Sequence, residues 1–197
     1  MDLDYNSKIK EIRAYAKENK VPIMEEDGIK YLTSFIFKNR IKSVLEIGSA
    51  IGYSAIQMAL VDPDIHITTI ERDEERYKEA LKNIKKFNLE NQIDVIFDDA
   101  FNVELSGKYD LIFIDAAKSQ SIKFFEKFKL NLDINGTIIT DNINFHGLTK
   151  EKVIKNRNTR QLVRKIKEYV EFLENNQEFT TYFISDGDGI SISKRKA

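Results

Sequence analysis

Two short acidic segments carry the clearest chemical signal in this 197-residue chain. The sequence Phe-Ile-Asp-Ala-Ala-Lys occupies residues 113–118, and Thr-Asp-Asn-Ile occupies residues 140–143. Each follows a run of β-forming residues, which predicts a buried strand that ends in a carboxylate at the functional edge of an open sheet. If the two strands are neighbours, Asp115, Asp141 and the amide oxygen of Asn142 converge on one cation. Oxygen ligands, without cysteine or suitably spaced histidine, favour Mg²⁺, Mn²⁺ or Ca²⁺ over zinc.

A glycine turn near residue 50 predicts a cofactor site. Gly48 and Gly52 separate a strand from a helix start, and they let backbone pass close to a ligand. Glu71 ends the next strand, where a carboxylate can hold ribose hydroxyls. The pattern is G-x-x-x-G and lacks the middle glycine of a pyrophosphate-binding turn, and Glu46 repels phosphate but attracts an ammonium group. S-adenosylmethionine has both a ribose and an ammonium group, so it fits this pattern. The alternative is that no cofactor binds here, the glycines only make a tight turn and Glu71 is a solvated strand end.

The rest of the chain alternates strand and helix patterns, which predicts a doubly wound α/β fold with a mostly parallel sheet. An Asp-Gly-Asp turn at residues 186–188 predicts a closing hairpin and hence one antiparallel strand. We expect one domain over 1–197, with N-terminal helices within 1–38 as a cap or dimer element. Predicted helices cover 7–19, 26–38, 54–61, 74–87, 121–130 and 156–173; predicted strands cover 43–47, 66–70, 93–97, 110–114, 137–140, 179–184 and 189–193.

Composition narrows the class of protein but does not name it. The chain is 42% hydrophobic and 32% charged. Its net charge is −1, so its overall charge does not favour binding to nucleic acid or to a membrane. It has no cysteine, which excludes disulfide and thiolate chemistry and fits a cytoplasmic location. The charged N-terminus does not resemble a signal peptide, and no run of about 20 apolar residues predicts a membrane span.

These motifs together resemble the cation-dependent, catechol-type O-methyltransferases. The resemblance implies a seven-stranded sheet with S-adenosylmethionine at the point where the strand order reverses. Two departures stand out: residues 98–100 read Asp-Asp-Ala where the family often has Gly-Asp-Ala, and Ala116 and Ala117 replace the His-Trp of the animal catechol enzymes. The resemblance assigns cofactor contacts to Met24, Glu46, Gly48, Ser54, Glu71, Ala100 and Asp115, the metal to Asp115, Asp141 and Asn142, and the general base to Lys118.

Methyl transfer to a hydroxyl explains why these residue types belong together. A divalent cation lowers the pKa of a coordinated hydroxyl and fixes its position. Lys118 can take the proton if it is uncharged, a form that a nearby cation favours. The alternatives are a solvated surface lysine and ordinary turn chemistry for the Asp and Asn residues. We expect Asp141 to face solvent.

A basic segment follows the second acidic motif. Residues 150–167 hold eight basic side chains and one acid, and Arg157, Arg160 and Arg164 recur at helical spacing beside an apolar face predicted to comprise Val163, Ile166, Val170 and Leu173. Such a stripe suits phosphates of a polyanion, whereas the alternative is a solvated helix face.

Within the family, the chain looks most like bacterial tRNA methyltransferases that convert 5-hydroxyuridine to 5-methoxyuridine at the wobble position. The 5-hydroxyl and the neighbouring 4-carbonyl can chelate a metal as catechol does, and small Ala116 and Ala117 leave room for a flipped nucleotide. This resemblance implies tRNA, at its anticodon region, as a partner, and a homodimer. The alternatives are a small-molecule catechol-type O-methyltransferase, an NAD-type oxidoreductase and a non-enzymatic RNA-binding module.

Overall fold

A seven-stranded sheet in the order β3-β2-β1-β4-β5-β7-β6 forms the centre of the computed structural model, which describes residues 3–144, 156–185 and 188–196. All neighbouring pairs are parallel except those made by β7, which runs antiparallel to both β5 and β6. The predicted doubly wound sheet with one antiparallel strand is therefore confirmed. The strands are β1 (Ser43–Ile47), β2 (His66–Glu71), β3 (Ile93–Phe97), β4 (Tyr109–Ile114), β5 (Leu132–Asp141), β6 (Phe179–Ile184) and β7 (Ile190–Arg195).

In the described part of the chain, six α-helices cover the two faces of this sheet. They are α1 (Leu3–Glu18), α2 (Glu26–Asn39), α3 (Tyr53–Ala59), α4 (Glu74–Lys86), α5 (Ser121–Phe128) and α6 (Arg157–Glu174). Helices α1 to α4 contribute to one hydrophobic core, and α5 and α6 contribute to the other. Strand alternation divides β1 between them, because Val44 joins the first core and Leu45 the second.

Strand order reverses between β1 and β4, and this is where open α/β sheets bind ligands. The neighbours β4 and β5 are parallel, so the two acidic motifs lie at the same edge of the sheet. The predicted strand at 137–140 was too short: β5 begins at Leu132, and Gly136 lies inside it. A glycine in a strand weakens the sequence pattern because it supplies no side chain to pack, but here an added Cβ would lie 2.7 Å from a carbon of Leu132.

Helix α6 differs from its predicted pattern in one contact. Val163, Ile166 and Leu173 are buried as expected, but Tyr169 is buried in place of Val170, which is only half-buried. Lys150, Lys152 and Lys155, and the Asp186-Gly187 part of the predicted hairpin turn, lie outside the described residues.

The apolar face of α1 is used within the chain. Ile12 and Ala16 are each 2% exposed and belong to the first core, so they are not available to a dimer partner. The homodimer and the role of the N-terminal helices in it stay predictions. Among the described residues, no helix is long and apolar enough to cross a membrane.

Candidate active site

The glycine turn follows β1 directly and lies against the end of β4. Gly48 has a φ of 97°, in the left-handed region that favours glycine. A Cβ at Gly48 would lie 2.6 Å from the carbonyl oxygen of Asp115, so a side chain there would force the two strand ends apart. The Asp115 N–H also donates to the Ile47 carbonyl at 3.0 Å. The turn and the first acidic motif are therefore one structural unit.

Glu71 holds the other side of this turn. One of its carboxylate oxygens accepts a hydrogen bond from the Ala50 N–H at 2.8 Å, and the other accepts from the Arg72 and Asp73 N–H groups at 2.9 Å each. A carboxylate has about four acceptor sites, so these three bonds leave about one on the oxygen that faces Ala50. Glu71 is thus suited to fix the turn and to accept one further hydroxyl hydrogen.

Glu46 lies beneath the turn and not on its surface. Its side chain is fully buried, where it accepts hydrogen bonds from the hydroxyls of Ser54 and, at 2.6 Å, Thr69. Burial raises the pKa of Glu46 to about 7, although both hydroxyl bonds act in the opposite direction. Neither oxygen is exposed to a ligand in this arrangement, so the ammonium contact predicted for Glu46 and the cofactor contact predicted for Ser54 stay predictions.

The two acidic motifs meet around Lys118. Its Nζ lies 2.9 Å from Asp115 Oδ1, and the Lys118 and Asp115 side chains are only 15% and 20% exposed. Lys118 opens a short 3₁₀ turn (Lys118–Gln120) that leads into α5. A lysine at the start of a helical segment is unfavourable next to the positive end of the helix dipole, and the Asp115 carboxylate offsets that cost.

Asp141 is the last residue of β5, and it is buried, not solvent-facing as expected. Burial, and secondly the nearby charge of Asp115, raise the pKa of Asp141 to about 7. Asn142 follows with a φ of 62°, and its amide nitrogen donates to Asp141 Oδ2 at 2.6 Å. The predicted metal ligands are thus brought together at one sheet edge.

These residues fit a hard divalent cation. Two carboxylates that repel each other in a partly buried site are stabilised by a positive charge between them, and Mg²⁺ is commonly held by one or two carboxylates plus waters. No group of three or more His, Cys, Asp or Glu side chains suited to a metal occurs in the described part of the chain. The candidate ligands at this sheet edge are the Asp115 and Asp141 carboxylates and the Asn142 amide oxygen.

The two remaining predicted cofactor residues, Met24 and Ala100, are both buried. Met24 is 4% exposed and packs over Gly28 in the first turn of α2, and Ala100 is 7% exposed in the second core. The Asp-Asp-Ala segment before β4 is fixed by an ion pair of 3.1 Å between Arg72 and Asp99. Both assignments stay predictions.

Comparison with known proteins decides the family. The family model described as O-methyltransferase matches residues 3–196. The tapetum-specific methyltransferase 1 of Arabidopsis thaliana is 30% identical over 184 residues, which cover 89% of this chain and 77% of that protein. The chain belongs to the O-methyltransferase family. The prediction of an S-adenosylmethionine-dependent O-methyltransferase is therefore confirmed, whereas the closer likeness to tRNA methyltransferases stays a prediction.

Solved structures agree with this assignment. A Staphylococcus aureus structure provisionally named caffeoyl-CoA O-methyltransferase is 40% identical to this O-methyltransferase, covers 95% of this chain and 92% of that chain, and has a TM-score of 0.89. A Bacillus cereus O-methyltransferase solved in complex with SAH shares the fold at 22% identity, 96% and 91% coverage and a TM-score of 0.83.

The arginine stripe of the O-methyltransferase extends past the edge of the sheet that carries the acidic motifs. Helix α6 lies between the parallel-running β5 and β6, so it begins at that carboxyl edge. Tyr169 reaches the next-to-last residue of β5, and Arg157 lies about 18 Å further along the helix axis, away from the sheet. Helix α6 packs against the 3₁₀ turn that begins at Lys118. Arg157, Arg160 and Arg164 are exposed and, with Gln161, line a cavity of about 440 Å³.

Sequence reasoning missed three polar residues of this site. Thr69 bonds to Glu46, Tyr169 bonds to Thr140 beside Asp141, and Ser49 has a buried hydroxyl in the glycine turn without a hydrogen-bond partner among the described residues. Thr69 and Tyr169 occupy strand and helix positions where apolar residues also occur, so no pattern distinguishes them. The position of Ser49 between the two glycines was the one available signal, and its free hydroxyl suits a ligand at the turn.

Proposed function

We propose that this O-methyltransferase moves a methyl group from S-adenosylmethionine to the 5-hydroxyl of 5-hydroxyuridine at the wobble position of tRNA, with a divalent cation. S-adenosylmethionine, when bound, supplies a methyl group on a positively charged sulfur. Glu71 suits its ribose because one carboxylate oxygen keeps a free acceptor site beside the turn. The Gly48 turn supports the same reading, because its lack of a side chain lets the turn lie directly against Asp115 at the end of β4, which brings the proposed cofactor and metal residues together.

Asp115, Asp141 and Asn142 would hold Mg²⁺, Mn²⁺ or Ca²⁺. A divalent cation, when bound, lowers the pKa of a hydroxyl that coordinates it and orients that oxygen. Lys118, held beside Asp115, would accept the proton as the general base in its uncharged form, which a cation held by Asp115 would favour over the charged form.

The charge order of α6 is the observation that carries the proposal of a phosphate-bearing substrate, of which tRNA is the larger candidate. Helices α2 and α4 both begin with acidic residues and end with basic ones, which suits the helix dipole. The first turn of α6 instead holds Arg157 and Arg160 and no acid. Neither arginine has an ion-pair partner among the described residues, whereas Arg164 Nε lies 3.3 Å from Glu168. Unpaired cations in an unfavourable position, beside an active site, support a phosphate-bearing substrate.

A small-molecule substrate is the second candidate, favoured by the caffeoyl-CoA name of the Staphylococcus aureus structure. A coenzyme A thioester also carries phosphates, so the arginine stripe suits both classes. The absence of bulky side chains at Ala116 and Ala117 favours the larger substrate, a nucleotide extruded from its stack.

A substrate comparison tests the proposal. The purified enzyme, with S-adenosylmethionine and Mg²⁺, is given tRNA that carries 5-hydroxyuridine, the same tRNA without it, free catechol and caffeoyl-CoA. Mass spectrometry should find 5-methoxyuridine in the first tRNA, no methylation of the second, and slow reaction at most with the small molecules. Fast turnover of catechol or caffeoyl-CoA without any tRNA reaction would establish the second candidate.

Removal of the metal tests whether the reaction needs a divalent cation. Chelation should abolish turnover, Mg²⁺ or Mn²⁺ should restore it, and Asp141→Ala should lose both activity and Mn²⁺ binding. Asp133→Ala is the matched control, because this carboxylate lies on the same strand at the opposite end. Full activity after exhaustive chelation would remove the metal from the mechanism.

A further inference from the structure

The hydroxyl of Tyr169 joins α6 to the end of β5. Tyr169 is 2% exposed, and its hydroxyl lies 2.7 Å from the hydroxyl of Thr140, which is 1% exposed. The Tyr169 ring is stacked on Phe172 with ring centroids 6.1 Å apart, and Phe172 meets Phe125 of α5 edge-on at 5.4 Å. The ring is therefore fixed by packing, and its hydroxyl is held at one place on β5.

That place is immediately behind the proposed metal ligands. Thr140 directly precedes Asp141, and it pairs in register with Ile114, which directly precedes Asp115. Successive side chains of a strand point to opposite faces, so Thr140 faces α6 while Asp141 faces away from it. The hydrogen bond holds the backbone of β5 from the side opposite the carboxylate.

We propose that Tyr169 is a positioning residue that sets the place of Asp141 through Thr140, an inference that rests on the metal-dependent function proposed above. A metal site needs its ligands placed to within about 0.5 Å, and partners behind the ligands fix that placement. The same helix carries the arginine stripe, and it packs on the 3₁₀ turn that begins at Lys118. Tyr169 thereby holds the substrate-binding helix and the metal ligand in one fixed relation.

Removal of the Tyr169 hydroxyl tests this role. Tyr169→Phe should weaken Mn²⁺ binding about tenfold by calorimetry, the lower end of the range for partners behind metal ligands. It should lower kcat while the KM for S-adenosylmethionine stays within about twofold of the wild-type value, because the glycine turn and Glu71 lie across the sheet from α6.

Tyr109→Phe is the matched control. The Tyr109 hydroxyl also donates to a threonine, Thr68, at 3.3 Å, but Tyr109 begins β4 at the opposite edge of the sheet. It should change thermal stability without changing Mn²⁺ affinity. Thr140→Val should reproduce the effect of Tyr169→Phe, and Thr140→Ser, which keeps the hydroxyl, should restore Mn²⁺ binding; this pair also serves if Tyr169→Phe does not fold.

Three results would overturn the inference. Unchanged Mn²⁺ affinity in both Tyr169→Phe and Thr140→Val would show that the hydroxyl pair does not position Asp141. An equal loss of affinity in Tyr109→Phe would show a general effect of stability. Absence of Mn²⁺ binding by the wild-type protein would remove the metal site itself, and with it both this inference and the cation of the proposed function.

Discussion

At the scale of single residues, Glu46 is a buried acid whose ionised form lowers the stability of the folded state. Its carboxyl has two hydroxyl partners and no basic partner among the described residues, so burial dominates and raises its pKa to about 7. Its pKa in the unfolded chain is near 4.5. A folded pKa above the unfolded one means that Glu46 favours the folded state most below pH 4.5, and that this contribution is lost as the pH rises to about 7.

Glu46→Gln should therefore remove part of the pH dependence of stability. The free energy of unfolding of the variant, minus that of the wild type, should increase between pH 4.5 and pH 8 by up to about 3 kcal/mol, because Gln cannot ionise. Urea denaturation of the cofactor-free proteins measures this difference. Asp141 titrates in the same range in both proteins, so its contribution cancels. A difference that does not vary with pH would show that folding does not raise the pKa of Glu46.

Glu71 should act in cofactor binding and in turn structure together. Glu71→Ala removes a charged acceptor, so affinity for S-adenosylmethionine should fall by about 1.5 to 3 kcal/mol, measured by calorimetry. Asp73→Ala is the control, since Asp73 caps α4 by accepting the Arg76 N–H at 3.0 Å and has no proposed ligand contact. It should lose stability at unchanged affinity. Equal affinity losses in the two variants would indicate that Glu71 acts only through the turn.

The sequence allowed the prediction of site residues at strand ends because a carboxylate after an apolar run is a local signal. Asp115 and Asp141 were found in this way, Lys118 was assigned by the family resemblance, and the structure brings the three together. Burial depends on what packs against a residue from elsewhere in the chain. The buried positions of Asp141 and Glu46, and the bond from Tyr169 to Thr140, join elements distant in sequence and leave no local pattern.

At the scale of elements, α6 packs on the core of the protein, but the order of charges along it lowers the stability of the helix. Its apolar face packs on the second core and on the Lys118 turn, while its first turn places arginines at the positive end of the helix dipole. Stability alone does not favour this order. The helix itself was predictable from its periodicity to within one residue at each end, because amphipathic spacing is a local property.

Arg157→Glu should therefore stabilise the protein while it impairs tRNA methylation. A carboxylate in the first turn gains about 0.3 to 1 kcal/mol from the dipole, which thermal denaturation would detect as a higher Tm. Arg164→Glu is the comparison, because it places a like charge four residues before Glu168 and should lower the Tm. Both variants should raise the KM for tRNA. A Tm gain with no change in KM would mean that Arg157 does not contact the substrate.

At the scale of the whole molecule, charge is divided unevenly. The net charge is −1, yet residues 150–167 carry +7, so the remainder of the chain is at −8. A polyanion is repelled by most of this protein and attracted by one segment, whose helical part extends past the active-site edge. The fold class was predictable because strand and helix patterns alternate along the chain, which is typical of a parallel sheet covered by helices. The packing of α6 on the Lys118 turn was not predictable, because it depends on tertiary contacts that leave no local sequence pattern.

Salt should therefore weaken tRNA binding steeply, and the slope should depend on the arginine stripe. Each phosphate contact that is lost should reduce the slope of log affinity against log salt by about 0.7 to 0.9, so Arg157→Gln, Arg160→Gln and Arg164→Gln should flatten it stepwise. Arg13→Gln is the matched control, because Arg13 pairs with Glu26 on the N-terminal helices. Affinity for S-adenosylmethionine should not change, since the glycine turn lies in the other half of the sheet. An unchanged slope in the triple variant would place tRNA binding elsewhere on the protein.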